Sequence, residues 1–151
     1  EALAYAIDQA SALPPSVKRR VRQRLDTLPE GNSVCHGDFH PDNILLATRG
    51  PVVIDWTTAT HGSPLADVAR TTLLLLGGSL PPGVGRAQRV MIHLVRRLFY
   101  RLYLRAYRRQ RPAPRQEIEA WLPIVAAARL NEQIGGEEAE LVARVLQAFG
   151  E

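Results

Sequence analysis

One segment of this chain cannot be helix, and it constrains everything around it. His36-Gly37-Asp38-Phe39-His40-Pro41-Asp42-Asn43 is polar and interrupted by Gly37 and Pro41, and it leads into Ile44-Leu45-Leu46-Ala47 and Val52-Val53-Ile54, joined by Thr48-Arg49-Gly50-Pro51. The two apolar runs are rich in β-formers and bounded by turn residues, which predicts a hairpin. Its two ends carry Asn43 and Asp55, so the strands would bring those side chains together. Val34-Cys35 is a short apolar step into the loop.

Helical periodicity flanks this segment on both sides. Leu3, Ala6, Ile7 and Ala10 share one helical face over residues 1 to 12, and Pro14-Pro15 forbids continuation. A second helix follows with Ser16 as its expected N-cap and Val17, Val21 and Leu25 as its apolar stripe, ending near Pro29-Glu30-Gly31-Asn32. After a polar loop, Thr57 to Pro64, residues Leu65 to Leu76 read as a helix with Asp67 in its first turn, where a carboxylate suits the dipole. A loop is expected from Gly77 to Gly85. Residues 86 to 109 predict a long helix with Val90, Leu94, Leu98, Leu102 and Ala106 as its core stripe, and 116 to 149 a helical tail broken at Gly135-Gly136. The expected fold is mainly α with a small β-hairpin, an α+β class, in a single domain covering 1–151.

A chain of 151 residues with 46% hydrophobic and 23% charged content can bury one core and is neither disordered nor fibrous. Cys35 is the lone cysteine, and no apolar run reaches the ~18 residues that span a bilayer. A reducing, cytoplasmic setting without a membrane partner is therefore expected. The chain opens on Glu1 and is read as cut from something longer. Lys18 is the only lysine, so the net charge of +4 rests on arginine, a bias that carries no argument for nucleic-acid binding.

Phosphoryl transfer needs a group to accept the proton of the attacking hydroxyl and metal ions to neutralise the phosphates. Asp38 suits the first role. Asn43 and Asp55, as hard oxygen donors, suit magnesium. The segment from Val34 to Ala69, V-C-H-G-D-F-H-P-D-N-I-L-L, then V-V-I-D-W, then G-S-P-L-A-D-V-A-R, resembles the aminoglycoside phosphotransferase and choline kinase-like family of small-molecule kinases. That resemblance implies a protein-kinase-like fold, of which this chain is the helical C-terminal lobe. It implies Asp38 as catalytic base, Asn43 and Asp55 as magnesium ligands beside ATP, and Asp67 as a brace for the catalytic loop. Ser63 stands where the family more commonly has Asp.

The same resemblance implies an N-terminal lobe with a glycine-containing loop and a strand lysine over the phosphates, and nothing of that kind precedes the loop here. Lys18 lies in an arginine-rich helix. The isolated chain is therefore expected to be inactive, to need that lobe in cis, and to self-associate through the exposed surface. His36 reads as a buried scaffold residue, and His40 as either a substrate or phosphate contact or loop support. His61 reads as structural, and Asp42 as a solvent-facing turn residue. Arg97, Arg101, Arg105 and Arg108, with Tyr100, Tyr103 and Tyr107 interleaved, read as the outer face of the long helix, with RNA or an anionic membrane as the alternative use. An acidic substrate pocket from Glu117, Glu119, Glu132, Glu137 and Glu138 competes with an arginine-lined one for a phosphorylated substrate. Two other functions stand beside the kinase: a kinase-like binding or regulatory module, and a metal-dependent phosphoesterase, which four histidines supply poorly.

Overall fold

The computed structural model describes residues 1–78, 80 and 83–150. In chain order it contains α1 (Ala2–Gln9), α2 (Pro15–Leu25), β1 (Ser33–Cys35), a 3-10 turn (Pro41–Asn43), β2 (Ile44–Ala47), β3 (Gly50–Val53), β4 (Thr60–Gly62) and α3 (Pro64–Leu76). The second half is helical: α4 (Arg86–Gln110), α5 (Arg115–Arg129), a 3-10 turn (Leu130–Glu132) and α6 (Glu138–Phe149). The mainly α composition with a little antiparallel β agrees with the expected class.

Proline sets two helix starts. Pro15 and Pro64 occupy the first turns of α2 and α3, where a missing N–H costs nothing and the fixed φ suits the helix. Ser16 is consequently inside α2, and the residue at the cap is Pro14, a correction to the expected serine cap. α1 stops at Gln9, short of residue 12, although Ala10 and Leu13 still point into the core. The expected loop from Gly77 to Gly85 falls partly on residues 79, 81 and 82, outside those described.

α5 is the centre of the molecule. Ile118, Trp121, Ile124, Val125, Ala126, Ala127 and Ala128 are all buried, the signature of a helix covered on nearly every side. Ile7 of α1, Val21 of α2, Ala69 and Leu73 of α3, and Leu141 and Val145 of α6 close around it in one cluster. The chain turns between α5 and α6 through Gln133 and Gly136, both with positive φ.

The long helix is oriented differently from its sequence expectation. Val90, Leu94, Leu98 and Leu102, expected as core, are each more than half exposed, and α4 has no buried residue. Its inward side consists of Tyr103, Leu104 and Tyr107, which pack on Leu65, Val68, Ala113 and Ile118. Arg96 donates to the carbonyls of Gly77 and Gly78 at 2.6 and 2.9 Å, tying α4 to the end of α3. The exposed leucines leave an apolar stripe facing away from the body.

The strands form two antiparallel pairs rather than one. β2 and β3 pair from Ile44↔Val53 to Ala47↔Gly50, closing on Thr48 and Arg49 with Gly50 at φ +114°. β1 and β4 pair through Ser33↔Gly62, Val34↔His61 and Cys35↔Thr60. This second pair lies where a polar loop was expected, because three residues of mixed polarity carry no period, and its partner is 27 residues away. None of the helices, among the described residues, is long and apolar enough to cross a membrane.

Candidate functional site

The loop between β1 and β2 is tied down from several directions. Asp67, in the first turn of α3, accepts the backbone N–H of His36 through Oδ2 at 3.0 Å and that of Gly37 through Oδ1 at 2.8 Å. Arg70, one turn further along the same helix face, donates to the Gly37 carbonyl and pairs with Glu132. Thr58 Oγ1 donates to the carbonyl of His36 at 2.9 Å. Gly37 itself has φ +78°, and a Cβ there would stand 2.7 Å from the Thr58 carbonyl oxygen, so neither conformation nor space admits another residue.

His36 is almost fully buried. Its Nδ1 accepts the N–H of Asp38 at 3.2 Å, and its Nε2 lies 2.9 Å from the carbonyl of Ile54. A neutral ring with the proton on Nε2 satisfies both contacts, donating to one and accepting from the other. Trp56 lies against the ring at 4.6 Å between centroids and Phe39 meets it edge-on at 6.1 Å. His36 thereby couples the loop to the far strand of the hairpin.

Asp38 and Asn43 meet against that support, and Asp55 follows Ile54, whose carbonyl His36 contacts. Asn43 is buried, and its Nδ2 donates to Asp38 twice, to the carbonyl at 2.8 Å and to carboxylate Oδ2 at 3.1 Å. The N–H of Ile54 donates to the Asn43 carbonyl at 3.0 Å, which extends the β2–β3 ladder by one step, with Asp55 the next residue along the chain. Asp55 has φ +58°, an uncommon left-handed conformation for a residue with a Cβ, and it turns the chain out of the strand. Thr57 Oγ1 donates to Asp55 Oδ1 at 2.6 Å. That hydrogen bond, followed by one from the Thr57 backbone, holds the Asp55 carboxyl below its usual range.

The donor set is suited to a hard cation. With its Nδ2 committed to Asp38, Asn43 has Oδ1 left, and Asp55 contributes an ionised carboxylate with one oxygen outside the Thr57 bond. Oxygen donors of this kind, few in number, one buried and one exposed to solvent, match magnesium, which retains waters. No group of three or more His, Cys, Asp or Glu side chains is assembled as a metal cage among the described residues.

The other sequence candidates sort by their contacts. His40 lies 3.4 Å from the Asp38 carboxylate and 3.6 Å from that of Asp42, so it belongs to the site's edge. Asp42 is 95% exposed, and His61 sits in β4 opposite Val34. Lys18 donates to the Asp8 carbonyl at 2.9 Å, joining α2 to α1. Glu132 is held by Arg70 and Arg129, Glu137 by Arg129, and Glu119 by Arg115. Those three acids are paired with arginine and do not form an acidic pocket. Sequence reasoning passed over Arg70, Thr57, Thr58 and Trp56. For Arg70 a signal existed, since it follows Asp67 by three residues on one helix face.

A family model described as the phosphotransferase enzyme family matches residues 3–90, running from α1 through the loop and both strand pairs into α4. Comparison with curated proteins and with solved structures finds no match.

Proposed function

The chain belongs to the phosphotransferase enzyme family, and on that premise we propose that it carries the catalytic-loop half of an ATP-dependent kinase acting on a hydroxyl of a small molecule. The observation that supports this reading is the junction of Asp38, Asn43 and Ile54: the Asn43 amide binds the Asp38 carboxylate, and one ladder bond joins Asn43 to Ile54, the residue before Asp55. Asp38 is the base that orients the acceptor hydroxyl and takes its proton as the phosphoryl group moves. Asn43 donates to Oδ2 of the Asp38 carboxylate, which fixes its direction. Asn43 and Asp55 would hold magnesium, whose chemistry there is to neutralise phosphate charge. Thr57 holds the Asp55 carboxyl below its usual range, and Asp67 with Arg70 keeps the loop backbone in place.

The missing grip on the nucleotide belongs to a further lobe of the complete protein. Lys18, the sole lysine, is committed to the α1–α2 contact, so a lysine over the phosphates has to come from elsewhere. Leu45, Leu46, Val52 and Trp56 are exposed along the hairpin, a surface such a lobe would cover. In the complete protein, Asp38→Asn is expected to lower turnover by on the order of a hundredfold or more while substrate affinity changes little. Turnover near that of the wild type rules out Asp38 as the base.

A further inference from the structure

A wide concavity lies away from the catalytic loop, along the flank of α4. It is a groove of about 1100 Å3 walled by Arg97, Arg101, Arg105, Arg108 and Arg109 of α4 and by Arg115 at the start of α5. We propose that this groove is a binding site for a small ligand carrying two or more adjacent phosphates.

Three observations point there. The first is uncompensated charge. Only Arg115 has an ion-pair partner among the described residues, Glu119 at 2.6 Å, and the sequence has no acidic residue between Arg86 and Arg115. Like charges one helical turn apart destabilise a helix, so an arrangement of this kind is relieved when an anion arrives. Because Lys18 is the only lysine, the choice of arginine over lysine carries no weight. The lack of carboxylates does.

The second is spacing. Arg97, Arg101 and Arg105 follow at four-residue intervals, about 6 Å apart along the axis, and Arg108 and Arg109 continue the row. A lone phosphate reaches one or two such side chains, whereas a ligand with adjacent phosphates engages several, each with the forked geometry that suits phosphate oxygens.

The third is shape. Tyr100, Leu104 and Ala113 line the groove between the arginines, giving a concave bed rather than a flat face. The other tyrosines of α4 are turned elsewhere: Phe39 of the catalytic loop rests on Tyr103 at 5.8 Å, and Tyr103 on Tyr107 at 6.3 Å. They offer no row of open rings on which successive bases of RNA would stack. None of Asp38, Asn43 and Asp55 lines the groove, so its ligand is not the acceptor held for catalysis.

Sodium tripolyphosphate added to the 151-residue chain at low ionic strength is expected to bind by calorimetry and raise the melting temperature, with inorganic monophosphate weaker by about tenfold. Added salt weakens the binding. R101E/R105E is expected to lose at least about tenfold in affinity, while R19E/R24E, which removes the same charge from α2, keeps it. Circular dichroism of R101E/R105E checks the fold, which loses a repulsion rather than a contact. Phosphatidylcholine vesicles with and without phosphatidylinositol 4,5-bisphosphate separate the sources: capture only by the phosphoinositide vesicles assigns the phosphates to a lipid headgroup, and tripolyphosphate binding in solution to a free ligand. Absence of binding to both, equal loss in the two double variants, or single-stranded RNA that outcompetes tripolyphosphate with affinity growing with length would each overturn the proposal.

Discussion

Asp67 is the residue on which the loop's shape most directly depends. Its two carboxylate oxygens each accept a backbone N–H, from His36 and Gly37, and hydrogen bonds to a charged acceptor contribute about 1.5–3 kcal/mol each. Asp67→Asn keeps the size but turns one acceptor into a donor facing a donor. We expect chemical denaturation to report a loss of about 2 kcal/mol, and wild-type stability in that variant would show the bonds to be dispensable. Asp55 makes a different prediction, about pH. Thr57 depresses its pKa in the folded chain, so its contribution to stability is present above the unfolded value and is lost as pH falls through the folded one. The loss is thus confined to acid, below the ordinary value near 3.8. Thr57→Val should move the Asp55 titration up toward that value in a carboxyl NMR titration, and an unmoved titration would remove Thr57 as the cause. That Asp38 and Asn43 meet, with Asp55 just past the paired strand, was legible in the sequence because one loop and one hairpin contain all three. Thr58 was not, since it acts on the loop from a segment whose approach no local pattern encodes, whereas Arg70 carried a signal in its place three residues after Asp67.

Among the elements, α4 is where periodicity and structure part. Its leucines recur at the interval of a core stripe, yet the tyrosine side packs on α3 and the start of α5. A 3.6-residue period identifies that a helix has an apolar face, and α4 has two. Which face turns inward depends on the neighbours, here Val68, Ala113 and Ile118, and on the carbonyls that Arg96 binds. Stability measurements can separate the faces. Leu98→Glu is expected to change the unfolding free energy by less than about 0.5 kcal/mol, whereas Ile124→Ala, at a fully buried position of α5, should cost about 2–5 kcal/mol. A large cost at Leu98 would show that its stripe is covered. The β1–β4 pair shows the same limit at shorter range, since Thr60-His61-Gly62 becomes a strand only because Ser33-Val34-Cys35 lies alongside it.

For the molecule as a whole, the proposed function predicts that residues 1–151 alone transfer no phosphate from γ-labelled ATP to any acceptor in a panel. Measurable transfer would mean that the nucleotide is held by groups within this chain. The exposed hairpin adds an expectation about association: sedimentation should show self-association that grows with concentration, and Leu46→Glu, at a side chain 90% exposed, should suppress it. Taken by itself, the sequence determined the helical class, the hairpin, and the meeting of Asp38 with Asn43 at its start, because spacing along a short segment is a local property. Only the tertiary structure decided which face of α4 is covered, that Arg70 joins Asp67 in clamping the loop, and that the arginines of α4 wall a groove. Those outcomes depend on contacts between elements far apart in the chain, where burial and geometry select one among several faces that local pattern leaves equally apolar or equally charged.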